Sequence, residues 1–437
     1  MRPADTAALI AAAKTVLDGN WIGAATKPAP RLYPHQWSWD SAFIAVGYAR
    51  YDQARAESEL RALFAAQWSS GLLPQIVFHP EAAGYFPGPD AWGLRGDPRV
   101  PAAALTTGIV QPPVHATAAL HSIRHARDAA AARRFLEELY PGLRAWHDYL
   151  HRERDPRGEG LVYVRHPWES GMDNSPLWDA ALARIAIAPG DVPPYERQDT
   201  GHVSADQRPL GSDYDRYMYL VALFQRHGYD EAALAAACPY LIQDVLFNSL
   251  LCRGDRDLAE LARLLGDDPA PLEARAERTA RAIDAKLWDE GAGIYLDYDL
   301  ANDEPVRAMV SGGFAPLFAG VPDARRARRL YALLDSPAFA PLGGPVAPVP
   351  SYSRLAEGYD PSRYWRGPVW VNVNWLIYHG LRAYGYADYA AWLREATVGL
   401  VASSGFREYF NPETSGGLGT DDFSWTAALL IDLLAGE

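Results

Sequence analysis

The chain has 437 residues, 49% of them hydrophobic and 22% charged, with a formal net charge of -13. That is the composition of a folded protein with a substantial core, and no low-complexity tract marks a disordered tail. The acidic balance excludes a nucleic-acid binder, which needs a basic face to displace counterions from phosphates.

The N-terminal "DTAALIAAAKTVLDG" repeats apolar residues at three and four positions, which predicts an amphipathic helix. Its early acid and interrupted apolar pattern are unlike a signal peptide, and no stretch approaches the roughly 20 apolar residues that span a bilayer. A cytoplasmic protein with no membrane contact is the expectation. "RLYPHQWSWDSAF" follows, in which Asp40 stands among aromatics and is short enough to accept hydrogen bonds from two hydroxyls, or to cap a helix beginning at Ser41. "ARAESELRALFAAQW" reads as the next helix. Residues 72–113, rich in Pro, Gly and aromatics and containing "GYFPGPDAWG", are then the first of two long insertions, the kind of loop that serves as a lid or binding element.

"AAARRFLEELYPGLRAWHDYLHRE" is a long helical pattern, and after it comes "HPWESGMDNSPLWD". Here Glu169, Asp173 and Asp179 are crowded between tryptophans. Aromatic surroundings disfavour an ionised carboxyl and raise its pKa, which makes a proton donor at neutral pH. The competing reading of Asp173 is a turn or cap residue, since Asn174 or Ser175 can start a helix ahead of Pro176. Residues 187–213 form the second insertion, too polar and Pro-rich for core.

Helical patterns resume in "LAELARLLG", "PLEARAERTARAIDAKLWD" and "DARRARRLYALLD". Three more, "PVWVNVNWLIYHGLRAYG", "ADYAAWLREATVGLVASSG" and "DDFSWTAALLIDLLAG", start with Pro or Asp and stop at Gly; the first is apolar on almost every side and so buried. Between helices, "DPRGEGLVYVRHPWES", "WDEGAGIYLDYDL" and "FNPETSGGLGTDDFSW" share acidic or Pro turns, glycines and then aromatics, a divergent internal repeat. No βαβ alternation and no phosphate-binding glycine signature occurs. The fold class expected is all-α, a toroid of paired helices, with long loops and short β segments gathered at one end.

Flat aromatic faces beside carboxylates and amides suit a sugar, whose C–H faces stack while its hydroxyls hydrogen-bond. Glu408, in "GFREYFNPE", reads either as part of such a site or as a surface glutamate beside Arg407. Cys238 and Cys252, with no Cys/His cluster near them, are small core residues, and no metal or cofactor is expected.

In order, "WSWDSAF", "WESGMDNSPLWD", "YWRGPVWVNVNW" and "FREYFNPETSGG" resemble glycoside hydrolase family 63, particularly its short bacterial members acting on mannosylglycerate or glucosylglycerate. Trehalases carry cousins of the second motif. The resemblance implies an (α/α)6 barrel spanning residues 1–437 as a single domain and an inverting hydrolysis of an α-glycosidic bond, with Asp173 as general acid and Glu408 as general base. It also implies a sugar subsite lined by Tyr33, Trp37, Trp39, Asp40, Tyr85, Gln111 and Trp168, and walled by Tyr364, Trp365 and Trp370. A glycerate leaving group needs a guanidinium: Arg208, with Tyr214 beyond it, matches the position, and Arg197 is an alternative. Arg366 is a further candidate, though its "WRGP" motif reads as a structural partner for buried carbonyls.

The partner expected is a small sugar carrying a carboxylate. Mannose and glucose are not distinguished, and oligomeric state, homo-oligomer included, stays open. The alternatives are a trehalase or oligosaccharide α-glucosidase on a neutral substrate, and a sugar epimerase using His35, His79, His115 or His166 as proton shuttles.

Overall fold

A computed structural model describes residues 3–82, 85–201, 203–344 and 348–436. Its α-helices are α1 Pro3–Asn20, α2 Ser38–Ala49, α3 Gln53–Phe64, α4 His115–His125, α5 Ala129–Glu153, α6 Asp179–Ala183, α7 Gly211–Arg226, α8 Glu231–Ala237, α9 Val245–Leu265, α10 Ala270–Ala282, α11 Ala315–Ala319, α12 Ala324–Leu334, α13 Val371–Ala383, α14 Ala387–Ser404 and α15 Ser424–Ala435. Six of them pack side by side in a closed ring, in the order α2, α4, α9, α11, α13, α15 and back to α2. Helices α1, α3, α5, α10 and α14 lie outside it, each against a ring member, and α12 packs outside against the 294–295 strand. The all-α (α/α)6 toroid expected from the sequence is the observed fold.

Sequence explains the two layers. All twelve residues of α2 are buried, as are ten of α15, because both are apolar or small on every side. The outer helix α10 instead buries Leu272, Ala276, Thr279 and Ala280, a single stripe at helical spacing, and exposes its charges. At the C-terminal ends of the ring helices, Asp432 of α15 accepts from Arg50 Nε at 2.6 Å and from Trp375 Nε1 at 2.7 Å, which ties α2, α13 and α15 together.

The strands are two residues long: β1 Gln36–Trp37, β2 Ile76–Val77, β3 Ile242–Gln243, β4 Trp288–Asp289, β5 Ile294–Tyr295, β6 Tyr298–Asp299, β7 Glu304–Pro305, β8 Tyr409–Phe410 and β9 Gly417–Leu418. They pair antiparallel as β1 with β2, β4 with β5, β8 with β9, and β6 between β3 and β7. Two of the three segments read as a repeat form hairpins, β4–β5 and β8–β9. The third, 155–170, contributes only the bridge from Val164 to Ile242. Within 72–113 the described chain is irregular apart from β2 and the turn Pro89–Trp92, and the irregular part of 187–213 ends where α7 begins at Gly211.

Among the described residues no helix is long and apolar enough to cross a membrane. Cys238 and Cys252 are unpaired and buried.

Candidate active site

The N-terminal ends of α2, α4, α13 and α15 open on one cavity, with about 860 Å³ of atom-free space including its mouth. Trp39 and Asp40 lie in the first turn of α2, Gln111 just ahead of α4, Trp370 directly before α13, and Phe423 and Trp425 on either side of the first residue of α15. Helix N-termini carry partial positive charge, so this end of the barrel favours carboxylates and oxygen-rich ligands. Every sequence-predicted site residue lines this cavity: Asp173, Glu408, Tyr33, Trp37, Trp39, Asp40, Tyr85, Gln111, Trp168, Arg208, Tyr214, Tyr364, Trp365 and Trp370.

Asp173 sits between two short 3-10 turns, Pro167–Ser170 and Pro176–Trp178. Ser175 accepts from Leu177 N at 3.4 Å and so takes the capping role that Asp173 could have filled. Tyr217 Oη donates to the Asp173 carbonyl at 2.7 Å, and Trp178 Nε1 to the Met172 carbonyl at 2.7 Å. These bonds fix the backbone without using the Asp173 carboxyl. Burial pushes that carboxyl up to about 7; Glu408 and Asp199 add to the rise, and Arg208 opposes it. The glycine of the motif is a steric requirement, since Gly171 has φ +74 and a Cβ there would lie 2.5 Å from the Trp39 indole.

Glu408 is no surface residue: it is 1% exposed and directly precedes β8. Its Oε1 accepts from Tyr33 Oη at 2.8 Å and its Oε2 from Thr420 N at 3.2 Å, with Arg208 Nη1 at 3.8 Å from Oε1. Burial raises its pKa, while Arg208, Tyr33 and the Thr420 amide pull it back. Gly419, at φ +66, lets the hairpin close here, where a Cβ would come within 2.5 Å of Glu408 Oε2. Asp40 is held well above the usual carboxylate range by burial, with Glu408 and Asp173 contributing. It lies inside α2, two residues past the start, and Trp37 is the residue at the cap position.

Arg208 is the guanidinium of the cavity. Its Nε donates to Asp199 Oδ2 at 3.2 Å, its Nη1 to Tyr33 Oη at 3.1 Å, and its plane lies 4.3 Å from the Tyr364 ring. Tyr364 reaches this position with φ +33, an unusual backbone for an aromatic residue. Arg197 sits behind: it grips Asp199 with Nε at 3.0 Å and Nη2 at 2.7 Å and stacks 4.4 Å from Tyr214. The aromatic wall is built from Trp365 stacked on Trp370 at 3.9 Å, and from Trp37 meeting Tyr33 and Tyr85 edge-on at 5.3 and 5.1 Å.

The other two acids of the "HPWESGMDNSPLWD" stretch are structural. Glu169 is fully buried and bound by Arg154 through two 3.0 Å contacts and by Arg165 N at 2.7 Å. Although burial pushes its pKa up, Arg154 and Arg165 hold it below the usual carboxylate range. Asp179 pairs with Arg366. The reading of Arg366 as a partner for buried carbonyls is thus corrected: its guanidinium serves a carboxylate.

Gln75, Phe86, Gln198, Asp199, Phe423 and Trp425 also line the cavity and were not singled out from sequence. Phe423 and Trp425 open helix α15, where two large aromatics before its apolar run were the available signal. Asp199 gave none. No histidine lines the cavity among the described residues. His166 instead caps the turn at Trp168 N, and His115 bonds Ser38.

Comparison with known proteins matches residues 33–426 to the mannosylglycerate hydrolase MGH1-like glycoside hydrolase domain. The chain is 56% identical to a mannosylglycerate hydrolase of Rubrobacter radiotolerans, over 98% of this chain and 96% of that one. It is 37% identical to a glucosylglycerate hydrolase of Mycolicibacterium hassiacum, over 98% and 97% of the two chains. The crystal structure of a GH63 mannosylglycerate hydrolase from Thermus thermophilus in complex with Tris and D-glycerate superposes with a TM-score of 0.91 at 44% identity, covering 97% of this chain and 99% of that one. Fold, cavity and similarity along nearly the whole chain agree: the protein belongs to glycoside hydrolase family 63, among the mannosylglycerate hydrolase MGH1-like enzymes, and is an O-glycoside hydrolase.

Proposed function

We propose that the enzyme cleaves the α-glycosidic bond joining mannose or glucose to D-glycerate, with inversion at the anomeric carbon. The observation that carries this reading is a cavity lined by the half-buried carboxyl of Asp173, the buried carboxyl of Glu408 and the buried guanidinium of Arg208. Asp173, raised to about 7, keeps a proton to give to the glycosidic oxygen. Glu408, whose anion Arg208, Tyr33 and an amide N–H favour against its burial, takes a proton from water attacking the opposite face of the sugar. Trp37, Trp39 and the Trp365–Trp370 stack offer faces to the hexose, and Asp40 and Gln111 offer hydrogen bonds to its hydroxyls.

The similarity to a structure that holds D-glycerate supports glycerate as leaving group, and Arg208 with Tyr214 is the pair we assign to its carboxylate. Two relatives named for different hexoses support activity on both sugars. Each hexosylglycerate and trehalose should be incubated with the enzyme, with NMR reading the first-formed anomer. Release of β-hexose and glycerate is the expected result. Trehalose turned over as well as either hexosylglycerate, or an α-hexose product, defeats the reading. Arg208→Ala should raise KM steeply for the hexosylglycerates and little for a neutral glycoside.

A further inference from the structure

We propose that Arg208 couples the charge of the leaving group to the catalytic pair: a carboxylate on the departing group, by engaging this guanidinium, releases Glu408 from its counter-ion. The inference rests on the glycerate-releasing reading above. Arg208 is bound to a carboxylate at its Nε end and to a neutral phenol at its Nη1 end. Its Nε is bound by Asp199, which is clamped in turn by two bonds from Arg197. The Nη1 end reaches Tyr33 at 3.1 Å and lies 3.8 Å from Glu408 Oε1, while Tyr33 donates to that same oxygen at 2.8 Å. The residue lines the cavity, so an anion arriving there competes for the very end that serves Tyr33 and Glu408.

Among the described residues, the other charged groups around Arg208 and Glu408 offer no substitute. The acids are Asp40, Asp173 and Asp199, and the phenols are those of Tyr33, Tyr85, Tyr214, Tyr364 and Tyr409. The one further cation among them is Arg197, and it is committed to Asp199. Arg208 therefore opposes the burial of both Asp173 and Glu408. Shared with a substrate carboxylate, it opposes both less. Glu408 becomes the stronger base, and Asp173 holds its proton to higher pH. A neutral aglycone of the same shape leaves Arg208 on Glu408.

The test compares mannosylglycerate with mannosylglycerol, which has the same hexose and linkage but no carboxylate. For each, kcat and kcat/KM are measured across pH, the first reporting the substrate complex and the second the free enzyme. With mannosylglycerate both limbs of the kcat profile should lie about one pH unit above those of kcat/KM, the scale of losing one neighbouring opposite charge. With mannosylglycerol the displacement should be absent or clearly smaller. In Arg208→Gln the difference between the two substrates should vanish. Equal displacement for both substrates, or none for mannosylglycerate, overturns the coupling while leaving hydrolysis intact. Failure to cleave either glycoside overturns the substrate reading beneath it.

Discussion

Tyr33 and Glu408 are joined by a 2.8 Å hydrogen bond across the floor of the cavity, and the phenol that donates it accepts another from Arg208 at 3.1 Å. A donor to a charged group contributes about 1.5–3 kcal/mol. Tyr33→Phe should therefore lower kcat/KM by roughly tenfold to a hundredfold and move the acidic limb of the pH profile upward, because Glu408 loses a group that favours its anion. Steady-state kinetics across pH, with circular dichroism to confirm the fold, checks this.

Asp173 as proton donor needs its proton, and its carboxyl titrates near 7. The kcat/KM of the wild type should accordingly fall as pH rises above about 7 on a single-proton limb. Asp173→Asn should abolish turnover at every pH. A flat alkaline profile in the wild type, or turnover retained in the Asn variant, takes this role away from the residue.

The same residue should cost stability. Its folded pKa is raised above the unfolded value of about 3.9, so the folded state binds the extra proton between those limits. The stability this group contributes is fully present below about pH 4 and is lost as pH rises through about 7. Asp173→Asn has no such loss, and should be more stable than wild type by about 1–3 kcal/mol at about pH 8, with the difference shrinking toward about pH 4. Denaturant titrations at several pH values read it directly.

Gly419→Ala places a methyl 2.5 Å from Glu408 Oε2 on a left-handed backbone at φ +66. The carboxylate or the hairpin must move. A loss of more than about tenfold in kcat, with a stability penalty of about 1–3 kcal/mol, is expected from activity and melting measurements.

Glu169→Gln addresses the neighbouring acid to which the proposed mechanism gives no part. It takes from buried Arg154 the carboxylate it grips through two 3.0 Å bonds and leaves it to share Glu231 with Arg165, and removing one partner of such a buried pair destabilises by about 3–5 kcal/mol. The expected signature is a large drop in the urea midpoint, with whatever enzyme remains folded retaining its kcat.

The outer layer of the barrel was legible because its helices carry one apolar stripe each, as α10 and α12 do. The ring was harder. Helix α2 is buried at all twelve positions and shows no periodicity, and α4 carries no side-chain cap at its start, so both escaped a reading based on pattern. The reverse held for the cavity, where aromatic residues beside acids in short irregular segments stand out against the rest of the chain. Asp199 stayed invisible because "ERQDTG" reads as a solvated polar loop; its importance arises from Arg208, nine residues on, folding back to it. Glu169 and Asp173 looked alike in sequence. What separates them is Arg154, fifteen residues upstream, which only the fold brings to Glu169.

The ring closes where α15 meets α2, and the seam is held by Asn20 of α1 reaching Ser424 at 2.9 Å and by Arg50, at the end of α2, reaching Asp432 at 2.6 Å. Glu408 and Trp425, both walls of the cavity, lie far down the chain from Tyr33 and Trp39, the walls they face. A growing polypeptide thus has no working pocket until translation has passed residue 435 and α15 has slotted beside α2. Catalytic activity in this enzyme is a report that biosynthesis ran past that seam, and a chain stopped upstream of it lacks both Trp425 and the helix face that packs on α2.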